Sequence, residues 1–149
     1  MRLLLLIALF AFVKAQSDPS YNYYVFAAKR GWDSTEKNWT IHGLWPEYTP
    51  KTWPQFCQPK RYKEYNETLL LKTYLNITTI WPPESLWKHE WMKHGTCTNM
   101  TMMAYFGKAI ELYERQDYKK CCSSINNRRS KNCQLNYNLD FNFITCGKK

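Results

Sequence analysis

Apolar and polar residues alternate most regularly near the C-terminus. Leu135, Tyr137, Leu139, Phe141 and Phe143 interleave with Gln134, Asn136, Asn138, Asp140 and Asn142. A period of two over this stretch predicts one strand with a buried face and a wet face. Aromatic and β-branched residues predict a first strand over Tyr21–Ala28 and a second over Asn38–Trp45, closed by Gly43 and Pro46. Between these regions the pattern turns helical. Leu69, Leu70, Leu71 and Tyr74 sit among charges in a predicted helix over Tyr62–Tyr74. Pro82-Pro83 marks a turn before a second helix, Ser85–His94, which Gly95 stops. Thr101 caps a third helix running to about Asp117, with Tyr105, Phe106, Ala109, Ile110 and Tyr113 on one face. Strands at both ends with helices between them predict an α+β domain, a central antiparallel sheet flanked by helices.

The N-terminus stands apart from that domain. Arg2 is followed by an apolar run from Leu3 to Val13, and Val13-Lys14-Ala15 ends in small residues. The run is about half the ~20 residues a membrane span needs, so residues 1–15 read as a secretory signal peptide and residues 16–149 as one domain. No later stretch is apolar enough to span. Six cysteines behind such a leader predict a disulfide framework, with all connectivities open. Sequons at Asn38, Asn66, Asn76 and Asn99 predict N-linked glycans. The expectation is a secreted, extracellular monomer, with lysosomal or vacuolar delivery left open. Cleavage removes Arg2 and Lys14 and no acid, lowering the net charge from +9 to +7. The surplus favours polyanions such as nucleic acid, sulfated glycans or anionic membrane surfaces.

The three histidines fall in two clusters, Thr40-Ile41-His42-Gly43-Leu44-Trp45-Pro46 and Leu86 to Cys97. On a helix at about 100° per residue, with His89 at the origin, Lys93 lies near 40°, Glu90 near 100° and His94 near 140°. The four ionisable groups share one arc, and Trp91 and Met92 occupy the other side. A zinc-protease helix needs His-Glu-x-x-His; here the histidines are five apart and Lys93 adds a cation, so no metal and no cofactor is expected. An amphipathic helix with ordinary surface charges explains the arc as well as catalysis does.

Longer motifs decide between them. Ile41-His42-Gly43-Leu44-Trp45-Pro46 and Trp87-x-His89-Glu90-Trp91-x-Lys93-His94-Gly95-Thr96-Cys97 resemble the two active-site segments of the ribonuclease T2 family, the secreted acid ribonucleases that include plant S-type enzymes. The resemblance runs with gaps from about Tyr21 to the C-terminus and implies a disulfide-stapled ribonuclease T2-like fold. It further implies a metal-independent endoribonuclease that cleaves single-stranded RNA by transesterification to 2′,3′-cyclic phosphates. His94 would be the base, His42 the acid and His89 the phosphate holder. Lys93 would stabilise the phosphorane, and Glu90 would orient His94 or stabilise the transition state. Trp45 and Glu47 lie where the family binds a base. Trp53 and Tyr48 are stacking candidates for which packing is an equal explanation. Cys57 and Cys97 match the bridge between the active-site segments, and Cys133 and Cys146 match C-terminal cysteines. The partners of Cys121 and Cys122 stay open.

Three departures from the family qualify this picture. Ala27-Ala28-Lys29-Arg30-Gly31 stands where the family has a Gln and an early cysteine pair. Leu86 replaces a phenylalanine that often stacks on a base, and the chain is shorter than most members. Two other functions remain on this evidence. One is a catalytically impaired family member acting as a secreted glycoprotein that binds or signals. The other is a module that coats polyanions through runs such as Lys119-Lys120 and Arg128-Arg129-Ser130-Lys131.

Overall fold

The structure is a computed structural model, and it describes residues 21–31, 38–122 and 132–147. The expected signal peptide and the basic run at 128–131 lie outside these residues. Four antiparallel strands form one sheet in the order β2-β1-β3-β4: β1 is Tyr23–Arg30, β2 Trp39–Glu47, β3 Asn132–Tyr137 and β4 Phe143–Cys146. The helices are α1 (Glu67–Thr73), α2 (Ile77–Ile80), α3 (Ser85–Lys93), α4 (Met102–Glu114) and α5 (Tyr118–Cys122). Short 3-10 turns cover Pro59–Glu64 and Gly95–Cys97. The α+β class and the antiparallel sheet agree with the sequence pattern.

One sheet face is sealed by the helices. Tyr24, Phe26 and Ala28 of β1, Ile41 and Leu44 of β2, and Cys133, Leu135 and Tyr137 of β3 join Trp81, Trp87, Trp91, Tyr105 and Phe106 in a single core. Aromatic donors pin β2 through its carbonyls, because a buried N–H or O–H needs a partner. Tyr105 donates to Leu44 O at 2.9 Å, Tyr113 to Trp39 O at 2.9 Å, and Trp81 Nε1 to His42 O at 3.1 Å.

Several predicted elements change in detail. The predicted helix over 62–74 is a 3-10 turn followed by α1. Asn66 restarts the helix by accepting a hydrogen bond from Leu69 N. Gly43 and Pro46 do not end the second strand. β2 is an edge strand, where proline, lacking an N–H, is tolerated. Thr101 caps α4 as expected, its hydroxyl accepting from Ala104 N, and the helix ends at Glu114. The single C-terminal strand is instead a hairpin. Asn138 Oδ1 accepts from both Asp140 N and Asn142 N, and Phe141 turns at φ 60°. That side-chain turn competes with the ladder and breaks the period-two run.

Three disulfides close the structure: Cys57–Cys97, Cys121–Cys146 and Cys122–Cys133. The adjacent cysteines of α5 thus each take one of the C-terminal pair. The sequons at Asn38, Asn66, Asn76 and Asn99 are all exposed. Among the described residues no helix is long and apolar enough to cross a membrane.

Candidate active site

A fault in the sheet places His42. Ala27 pairs with Gly43 and Ala28 with Ile41, so His42 is an extra residue in β2, a β-bulge. Strict alternation would put residue 42 on the same side as Leu44, inside the core. The bulge sends it to the open face, where its ring meets Trp45 edge-on at 5.3 Å between centroids. Trp81, bonded to the carbonyl of His42, holds the fault in register.

The second cluster approaches from α3. Trp87 and Trp91 are fully buried on its inner side, which leaves His89, Lys93 and the helix end to face the site. His94 lies one residue past α3, where it caps the C-terminus and is itself buried. Its ring packs on Trp45 at 5.5 Å, so one indole touches both His42 and His94. Among the described residues His94 Nδ1 has no hydrogen-bond partner, so this imidazole is oriented by stacking. Glu90 is buried and accepts from Trp45 Nε1 at 2.8 Å. That bond fixes the indole between the two histidines. Gly43 makes the approach possible, since a methyl group there would collide with Glu90 Oε2 and Trp45 Nε1. The Cys57–Cys97 bridge and a bond from Phe56 N to Lys93 O at 2.9 Å tie the loop after β2 to the end of α3.

The electrostatics follow from burial and from crowded cations. Burial, then Lys29, Lys93 and His89, lower the pKa of His42 to about 4. Burial, then Lys93, His89 and His42, lower that of His94 to about 3. His89 is shifted down too, by burial and Lys93. Glu90 moves the other way, to about 8, because desolvation outweighs its bond to Trp45 and the charge of Lys93. These shifts favour neutral histidines beside a neutral carboxyl. An anion among these groups would reverse the direction for the histidines.

A cavity of about 460 Å³ opens beside them. Trp45, Glu47, Trp53, Lys93 and His94 line one side, with Tyr23 and Val25 beneath. Tyr23 donates to Glu47 at 2.8 Å, and burial raises the carboxyl's pKa. Trp53 is 45% exposed, as a stacking surface must be, whereas Tyr48 packs against the core. Leu86 is half-buried against the core as well.

Sequence reasoning passed over Lys29, whose charge bears on His42 and which lies in the segment that departs from the family. It also passed over Gln134, Asn136 and Thr145 on the far wall. The polar half of the period-two pattern was the available signal for Gln134 and Asn136. Among the described residues no cluster of His, Cys, Asp and Glu is arranged to hold a metal.

Comparison with known proteins identifies the family. The model of the ribonuclease T2 family matches residues 15–140. The chain belongs to the ribonuclease T2 family. Intracellular ribonuclease LX of Solanum lycopersicum is 36% identical over 84 residues, 51% of this chain and 35% of that protein. Ribonuclease T2 of Aspergillus oryzae is 40% identical over 74 residues, 42% of this chain and 26% of that one. The matched part thus spans about a third or less of the length of these T2 relatives. In the fold, RNase NT, solved in complex with 5′-AMP, superposes with a TM-score of 0.66 at 18% identity, covering 87% of this chain and 92% of that chain.

Proposed function

We propose that this T2-family protein is a secreted, N-glycosylated endoribonuclease that cleaves single-stranded RNA to 2′,3′-cyclic phosphates by histidine acid–base catalysis. The observation that carries the reading is the bulge that brings His42 edge-on against Trp45, whose ring also packs on His94. A transesterification at phosphorus needs a base for the ribose 2′-OH and an acid for the departing 5′-oxygen. His94 takes the first role and His42 the second. His89 and Lys93 receive the scissile phosphate and stabilise the charge that develops on the phosphorane. Glu90 acts through Trp45, holding the indole that spaces the two histidines. The attacking nucleophile is the substrate's own hydroxyl, so the mechanism requires no metal and excludes DNA.

In the free protein burial and nearby cations keep His42 and His94 as neutral imidazoles at neutral pH, yet the acid must be an imidazolium. The phosphate supplies the missing counter-charge among Lys29, His89 and Lys93, so substrate binding draws in a proton. This favours cleavage on the acid side of neutrality and a bell-shaped profile. The burial of His42 among cations, which disfavours its charged form, is what supports a non-cutting RNA-binding protein as the second reading.

One experiment separates the two. The oxidised, secreted protein is incubated with single-stranded RNA and EDTA from pH 4 to pH 8, beside His42→Ala and His94→Ala. Cyclic-phosphate ends that vanish in both variants support the ribonuclease. RNA that is bound but left intact by folded wild-type protein overturns it.

A further inference from the structure

The open face of the sheet carries a row of residues of which the catalytic proposal uses only Trp45. Strand register aligns Trp45 of β2, Val25 of β1, Asn136 of β3 and Thr145 of β4 straight across the sheet. All four line the cavity beside Lys93 and His94. Gln134, two residues before Asn136 and so on the same face, lines it too. The floor therefore changes character along one line, aromatic at Trp45, aliphatic at Val25, carboxamide at Asn136 and hydroxyl at Thr145.

The carboxamides of Gln134 and Asn136 are half-buried, and neither makes a side-chain hydrogen bond to a described residue. As lining residues of the cavity they offer both donors and acceptors to a polar ligand. The wall is also fixed. Cys146, beside Thr145, is bonded to Cys121 of α5, and Gly147 N donates to Gln134 O at 2.7 Å.

We propose that Asn136 and Gln134 are specificity-determining residues that read the edge of a purine base lying over Val25 against Trp45. Adjacent strands are about 4.8 Å apart, so Trp45 and Asn136 stand roughly 10 Å from each other across the floor. A two-ring base bridges that gap better than a one-ring base. An Asn or Gln amide offers one donor and one acceptor side by side, the pattern that pairs with the amino group and N7 of adenine. Glu47, at the neighbouring end of β2, adds an acceptor for an amino group.

The inference rests on the ribonuclease reading, and its test keeps the two apart. The first arm uses DNA oligonucleotides with a single ribonucleotide, varying the base on either side of the scissile phosphate. Wild type should prefer a purine at one of those positions. Asn136→Val and Gln134→Leu, which keep strand propensity and similar size, should each lower the purine-to-pyrimidine ratio of kcat/KM by roughly tenfold. The second arm follows quenching of tryptophan fluorescence by AMP, GMP and UMP, which needs no turnover. The variants should lose purine binding. Circular dichroism confirms folding, and Thr145→Val gives a second variant on the same row should Asn136→Val fail to fold. Cleavage with an unchanged base ratio overturns the inference and spares the ribonuclease. Absent cleavage with purine binding that the variants abolish does the reverse. Equal binding of UMP and AMP by wild type also overturns the inference.

Discussion

The strand that carries His42 and the hairpin that carries Asn136 border the same cavity, but different forces hold them in place. β2 is fastened from inside. Two buried aromatic side chains, Trp81 and Tyr105, and the half-buried Tyr113 donate to its carbonyls, and Ile41 and Leu44 are wholly buried beneath it. In the hairpin only β3 is packed, through Leu135 and Tyr137; β4 is exposed at every residue, and the hairpin is further tied to α5 by Cys121–Cys146 and Cys122–Cys133. Acid–base chemistry loses about a hundredfold for a displacement near 1 Å, and dry packing supplies that accuracy. A wall that only reads a base edge tolerates more play, so a covalent link on an exposed edge suffices.

The largest expected effects fall on the packed side. His42→Ala and His94→Ala should each lower the single-turnover cleavage rate by about 10²–10⁴, measured as cyclic-phosphate release. Survival of more than a tenth of the rate in either variant would show that the bulge is not the organising feature. The disulfides then sharpen the comparison. Paired replacement of Cys57 and Cys97 by Ala should destabilise the protein by about 4 kcal/mol in denaturant titration, and that of Cys121 and Cys146 by about 3 kcal/mol. The separations are 40 and 25 residues. Stability should thus fall by similar amounts while function divides. The first pair should slow cleavage of every substrate, and the second should chiefly flatten base preference.

The division was only partly legible in the sequence. Helical spacing placed His89 and Lys93 away from the buried Trp87 and Trp91 of a regular α3, whereas Glu90, expected on the same arc, is buried with the tryptophans. His94 belongs to the arc but sits past the helix end. The position of His42 could not be read from spacing. Its face depends on a bulge, and a bulge is a register relation with Ala27 and Ala28 of another strand. The hairpin was misread for a related reason. Asn138, Asp140 and Asn142 occupy wet positions of an alternating pattern, yet the same residues build a turn. Polar alternation and turn chemistry use the same amino acids, and only the pairing of Tyr137 with Phe143 tells them apart.

Stability against pH tests the burial of the packed side. His42 and His94 have folded pKa values near 4 and 3, below the ordinary 6.5, so the unfolded chain binds more protons in that window. Their contribution is present above pH 6.5 and is lost as pH falls toward 4. Glu90, near 8 when folded against an ordinary 4.5, binds its proton more tightly in the native state. Its contribution is present at low pH and is lost as pH rises through 8. Melting temperature should therefore peak near pH 6.5. Glu90→Gln should remove the alkaline decline, worth about 2 kcal/mol between pH 6.5 and 8 at 1.4 kcal/mol per pH unit. An unchanged slope in that variant would place the decline elsewhere in the molecule.

The smallest effect expected belongs to the hairpin turn. Asn138→Ala removes the acceptor for the amides of Asp140 and Asn142, whose bonds measure 3.0 and 2.8 Å. Both amides lie at exposed residues, so water replaces the lost partner and the cost should be about 1 kcal/mol. Asn138→Asp keeps an acceptor and should recover most of it. The tip has other anchors. Phe141 stacks on Tyr24 at 4.5 Å and accepts from Arg115 at 2.7 Å through its carbonyl. With these contacts and two disulfides intact, Asn138→Ala should leave the affinity for purine nucleotides within about twofold. If it instead destabilises the protein as much as loss of Cys121–Cys146 does, the turn and not the sulfur holds the wall. The contrast between a packed catalytic strand and a stapled recognition edge would then fail on the hairpin side alone.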